Sequence, residues 1–130
     1  MVSRGTLVLV MILSMLAWPL VAGAEELVSG RYQELGSNKV LVELTIGNPA
    51  PASIILIQSL PRGVKVIASN PELKKYSPTK GQAKWLLRKI AAGKKIVSMT
   101  LDRPVAKGEI SGEIRYRDAA GKMVTVPLSK

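Results

Sequence analysis

Apolar and polar residues alternate through most of this chain with a period of two, the repeat of a strand that buries one face. The clearest run is Lys39–Ile46, with Val40, Val42, Leu44 and Ile46 on one side and Leu41, Glu43 and Thr45 on the other. Gly47-Asn48-Pro49-Ala50-Pro51 ends it, because two prolines that lack an N–H and fix φ cannot continue a ladder. Ser53–Ser59 then carries Ile54, Ile55, Leu56 and Ile57 in succession, a strand apolar on both faces. Leu60-Pro61-Arg62-Gly63 punctuates it, and Val64–Ala68 reads as a short strand. Upstream, Leu27–Leu35 reads as a weaker first strand with a bulge at Gly30 and a turn at Gly36-Ser37-Asn38.

The second half is less uniform. Ser69–Gln82 contains Asn70-Pro71, Ser77-Pro78 and Gly81, and reads as the longest loop, broken at most by a turn around Glu72–Tyr76. Lys84–Ile90 admits two readings. Ala83, Leu86, Leu87 and Ile90 follow helical spacing, and the surrounding lysines and arginines give the look of a basic amphipathic surface helix. Two helical turns between Gly81 and Gly93 are marginal in water, however, so strand is the preferred reading. Lys95–Asp102, Gly108–Arg117 and Lys122–Leu128 alternate again, the last two joined by a hairpin loop at Asp118-Ala119-Ala120-Gly121. About eight short strands at regular spacing predict an all-β antiparallel sandwich.

The first residues stand apart from this pattern. Arg4 precedes an apolar run, Leu7–Val21, followed by Ala22-Gly23-Ala24 and then Glu25-Glu26. That is the layout of a secretory signal peptide cleaved between Ala24 and Glu25. An uncleaved anchor is the alternative, but the run is short of the ~20 apolar residues of a full span. The expected mature chain is one domain, Glu25–Lys130, exported to a periplasm, the cell surface or beyond, with no membrane anchor after cleavage. Cysteine is absent, so packing must hold it without disulfides.

The net charge of +10, with no histidine, favours anionic partners. Lys74, Lys75, Lys80, Lys84, Arg88, Lys89, Lys94 and Lys95 fall in one region, opposed only by Glu72. They form the candidate anionic-ligand patch. Dispersed lysines that keep a β-protein soluble and guard its edges would leave the same pattern.

The order of punctuators carries a resemblance. Thr45-Ile46-Gly47-Asn48-Pro49-Ala50-Pro51-Ala52 is followed by Ser59-Leu60-Pro61-Arg62-Gly63-Val64, then Trp85-Leu86, then Ile90-Ala91-Ala92-Gly93-Lys94. Over Val40–Leu101 this resembles the conserved-repeat family of bacterial and archaeal surface proteins, immunoglobulin-like domains of unassigned biochemical function. The resemblance implies an immunoglobulin-like antiparallel β-sandwich of about seven to eight strands, with Lys84–Ile90 a strand and Trp85 a core anchor. Gln58-Ser59 departs from the family's usual Asp-Thr, and a single basic copy departs from its acidic tandem arrays.

Catalytic chemistry is poorly supplied. Without histidine or cysteine there is no ordinary neutral-pH base, thiolate nucleophile or imidazole ligand. Glu109 and Glu113 on one strand would stand ~13 Å apart, too far to act as a pair. No enzyme activity, cofactor or metal is expected. The expected function is an exported envelope or surface module that binds another exported protein, through an edge strand or the Ser69–Gln82 loop. The alternative is binding of an anionic polysaccharide or lipid headgroups through Lys74–Lys95. Nucleic acid is not expected, because stacking aromatics are scarce.

Overall fold

A computed structural model gives the structure of the protein over residues 27–130. The expected leader and its Ala24/Glu25 cleavage point lie outside the described residues. Nine strands follow in order: β1 Val28–Glu34, β2 Lys39–Ile46, β3 Ser53–Ser59, β4 Val66–Asn70, β5 Lys75–Ser77, β6 Gln82–Arg88, β7 Gly93–Leu101, β8 Ser111–Arg117 and β9 Met123–Pro127. They form two antiparallel sheets, a four-stranded one in the order β1-β2-β7-β4 and a five-stranded one in the order β5-β6-β3-β8-β9. The first sheet repeats the A-B-E-D order of the immunoglobulin fold, and β3-β8-β9 repeats C-F-G. The β5–β6 hairpin is an insertion between the D and E strands that extends the second sheet beyond C.

Alternation fixes which face each strand buries. Val40, Val42, Leu44 and Ile46 of β2 and Val97, Met99 and Leu101 of β7 point into the space between the sheets. They meet Ile54 and Leu56 of β3, Trp85 and Leu87 of β6, and Ile114 and Tyr116 of β8. Each such side chain contributes about 1.5–3 kcal/mol when fully buried, so no staple is needed. Trp85 is wholly buried, and its Nε1–H donates to the Pro71 carbonyl at 3.0 Å. Along β6 the buried residues are Ala83, Trp85 and Leu87, every second one, so the strand reading holds and the helical one falls.

Three expectations are corrected. Gly30 is not a bulge: it pairs in register with Leu44, and the bulge lies between Tyr32 and Glu34. A Cβ at Gly30 would stand 2.6 Å from Leu128 Cδ2 and 2.9 Å from Ile114 Cδ1, so its bareness lets β1 press against the second sheet. The stretch Ser69–Gln82 is not one loop, since β4 runs to Asn70 and β5 lies inside it, paired with β6. Three residues are too few to show a period, and β5 is held by backbone bonding instead. Finally, the strand expected at Val64–Ala68 begins at Val66, although Val64 is buried.

Both sides of the sandwich are crossed by chain. Residues 71–74 carry β4 of the first sheet over to β5 of the second. On the far side, Ser129 beyond β9 pairs in parallel with Arg31 of β1, its carbonyl accepting from Tyr32 N–H at 2.9 Å and its N–H donating to the Gly30 carbonyl at 3.1 Å. The register also defines two ends. The start of β1, the end of β2, the start of β3, the end of β6, the start of β7 and the β8–β9 turn lie together. This is the entry end, where the chain joins the fold at Leu27.

Candidate functional site

Three connections build the entry end. Residues 47–52 join β2 to β3, where Pro49 and Pro51 prevent further pairing, and Gly47 N–H donates to the Leu27 carbonyl at 2.8 Å. Residues 118–122 form the β8–β9 turn: Asp118 Oδ1 accepts from the N–H groups of Ala120 and Lys122, each at 2.9 Å, and Gly121 takes φ +82°. Residues 89–92 join β6 to β7, with Lys89 at φ 53° and Gly93 at φ +121°. A left-handed conformation costs an L-residue roughly 1–2 kcal/mol, so lysine is a costly occupant at position 89.

Small and apolar side chains are exposed in and beside these connections, together with Asn48, Lys89 and Lys122. Pro49, Ala52, Ala91, Ala92, Ala119, Ala120 and Met123 are exposed, and Ala50 and Ile90 are half-buried. Two grooves run between them. One of about 760 Å³ lies between the 47–52 loop and the β8–β9 turn, lined by Leu27, Ile55, Met123 and Ala119, with Arg115 and Arg117 beside them. The other, about 460 Å³, is lined by Pro71, Leu86 and Ile90 together with Arg88, Lys89, Lys94 and Lys95.

The eight cations predicted from sequence therefore divide. Arg88, Lys89, Lys94 and Lys95 meet in the second groove. Lys75 and Lys84 are cross-strand neighbours on the outer face of the five-stranded sheet, and Lys74 N–H bonds the Lys84 carbonyl. Directly opposed like charges of this kind repel. Lys80 sits in the β5–β6 turn at the opposite end. Arg115, Arg117 and Lys122 join the entry-end group from a part of the chain the sequence reading did not include. Their signal was the outward phase of Arg115 and Arg117 along β8. Asp118 is the one carboxylate in these three connections, and it is committed to its turn. Nearby, Glu43 of β2 accepts from Arg31 at 3.1 Å and lies 3.9 Å from Lys94, while Glu113 pairs with Arg115 at 2.6 Å. Exposed pairs of this kind are worth little.

The titratable groups of the interior are tyrosines. The Tyr32 hydroxyl donates to Gln58 Oε1 at 2.5 Å, and Gln58 is the buried polar residue of the core. Burial pushes the Tyr32 phenol well above its usual range. The Tyr76 hydroxyl is buried with no hydrogen-bond partner among the described residues, and desolvation, then the charge of Asp102, raises its pKa. Glu109, expected on one strand with Glu113, is instead in a 3-10 turn, since β8 begins only at Ser111, and its carboxylate accepts from Ala106 N–H at 3.2 Å. Among the described residues no three or more His, Cys, Asp or Glu side chains group as metal ligands, and no helix is long and apolar enough to cross a membrane.

No protein-family model matches the chain, and no curated protein matches it. Among solved structures, the Reelin-N domain of F-spondin is similar at a TM-score of 0.41 and 10% identity, over 85% of this chain and 92% of that chain. At that level the site rests on this chain's own residues.

Proposed function

We propose that this chain is an exported, non-catalytic module of the cell envelope that binds an anionic polymer or lipid surface at its entry end. The observation that carries this is the gathering at one end of Arg88, Lys89, Lys94 and Lys95 around one groove, Arg117 at a second and Lys122 in the β8–β9 turn, against two carboxylates, Asp118 committed to its turn and Glu43 near Lys94. Cations in excess of nearby carboxylates hold a mobile ion atmosphere, and an anionic partner that displaces it gains binding free energy that salt removes. The leader-like N-terminus and the resemblance to surface domains support export. The tyrosine–glutamine pair and the turn-bound carboxylates are occupied in holding the fold, which supports a binding role over a chemical one.

A second reading has an observation of its own. The β4 edge carries neither charge nor proline, and Ile67 on it is 63% exposed. An open edge of that kind can accept a strand from another exported protein. One experiment separates the two: the chain, tagged after Lys130, is recovered from its own envelope fraction at low and at high salt. Polysaccharide or lipid retained at low salt alone bears out the cationic end. One protein retained at both salts moves the function to the β4 edge. Nothing retained at either salt removes both.

A further inference from the structure

We infer that the entry end docks end-on against an anionic bilayer surface, its apolar loop tips entering the headgroup layer and its cations lying at headgroup level. This rests on the cationic-end reading above and names its partner.

Two features separate a bilayer from a linear polymer. A linear polymer needs only charges along its track, whereas here exposed apolar side chains, Ala52, Ala91 and Ala119 of the connections and Met123 at the start of β9, share the end with the cations. Exposed apolar side chains beside cations match the layered chemistry of a lipid surface, acyl boundary beneath phosphate. The opposite end lacks this order, since Glu34, Asp102 and Glu109 are interspersed there with Lys39, Arg103 and Lys107.

The second feature is direction. Leu27 lines the larger groove, so the chain upstream of it, including the apolar run Leu7–Val21, reaches the fold at this end. An exported chain led to a membrane by that run presents the entry end to the bilayer first. Neither force suffices alone. Each cation at an anionic surface is worth about fivefold in partitioning, and each CH₂-sized group buried about fourfold. Alanine tips supply few such groups, so the charges must contribute, and neutral lipid should hold the end weakly.

Absence of cysteine makes the test direct. Single cysteines placed by Ala91→Cys, Ala119→Cys or Lys80→Cys in the whole chain carry a polarity-sensitive fluorophore. Each is mixed with vesicles of phosphatidylcholine alone, or with about one third phosphatidylglycerol, at low and high salt. The expected result is a blue shift for the labels at 91 and 119 on the anionic vesicles, reversed by salt, with none for the label at 80. Adding Arg88→Gln, Lys89→Gln and Lys122→Gln should weaken that anionic, salt-sensitive binding by about a hundredfold. Removing equal charge at the other end, with Arg62→Gln, Lys80→Gln and Lys107→Gln in the chain labelled at 119, should change it far less. An equal shift at 80, or equal effects of the two charge sets, overturns the end-on geometry. No shift on any vesicle, with salt-sensitive retention on dextran sulfate, overturns the bilayer and leaves the cationic-end reading standing. Failure to bind either probe removes both.

Discussion

Tyr32 and Tyr76 place the same hydroxyl in opposite circumstances, and the two should answer differently to its removal. Tyr32→Phe leaves the Gln58 carbonyl oxygen buried without its donor, an expected loss of about 1–3 kcal/mol in urea unfolding. Tyr76→Phe removes a buried hydroxyl that has no partner among the described residues, and stability should hold or rise. The pH dependence follows from the same burial. The fold binds the neutral Tyr32 phenol more firmly than the unfolded chain does, because its pKa is raised from 10.0. Its contribution is complete below the unfolded value and declines as pH rises above about 10. Unfolding measured across that window should show a smaller alkaline loss in Tyr32→Phe than in the parent chain. None of this was legible in the sequence, where Tyr32 and Gln58 lie in separate strands and Gln58 reads as a polar end to an apolar run. Gly30 was misread for a related reason, since a glycine in a strand pattern signals either a bulge or a close approach, and the neighbours that decide are distant in the chain.

At the scale of elements, β6 offers the sharpest contrast. Helical spacing would place Leu86 and Leu87 on one buried face, whereas the strand buries Leu87 and turns Leu86 outward beside Ile55. Leu87→Lys should therefore cost more than about 3 kcal/mol through an unpaired buried charge, and Leu86→Lys less than about 1 kcal/mol. Equal losses in thermal unfolding would contradict the register. β2, β7, β8 and β9 were legible because each is long enough for a period of two to show against a single buried face, and β3 because it is a continuous apolar run between two proline turns. β5 was hidden because three residues have no readable period and its place depends on β6.

For the whole molecule, the C-terminal crossing matters most to solubility. Ser129 closes part of the β1 edge with two backbone bonds, so removing residues 129–130 should lower stability by about 1–3 kcal/mol. The exposed edge should also raise self-association in sedimentation, as unpaired strands template further pairing. A truncated chain that stays as stable and as monomeric as the parent would show that the crossing is incidental.

The sequence by itself determined the sandwich class, the inward faces of the long strands, and a chain without histidine or cysteine chemistry. These follow from local alternation and composition, which need no knowledge of neighbours. Tertiary structure decided which strands share a sheet, that Gly30 is a contact and not a bulge, and that the predicted patch divides. Lys80 lies at one end while Arg88 lies at the other, because an antiparallel strand carries residues close in sequence across the length of the sandwich. The same geometry brings Arg117 and Lys122, distant in the chain, to the same end of the sheet as Arg88 and Lys89, with β3 between them. Charge on a β-protein is distributed by register, and register is a property of pairs of strands.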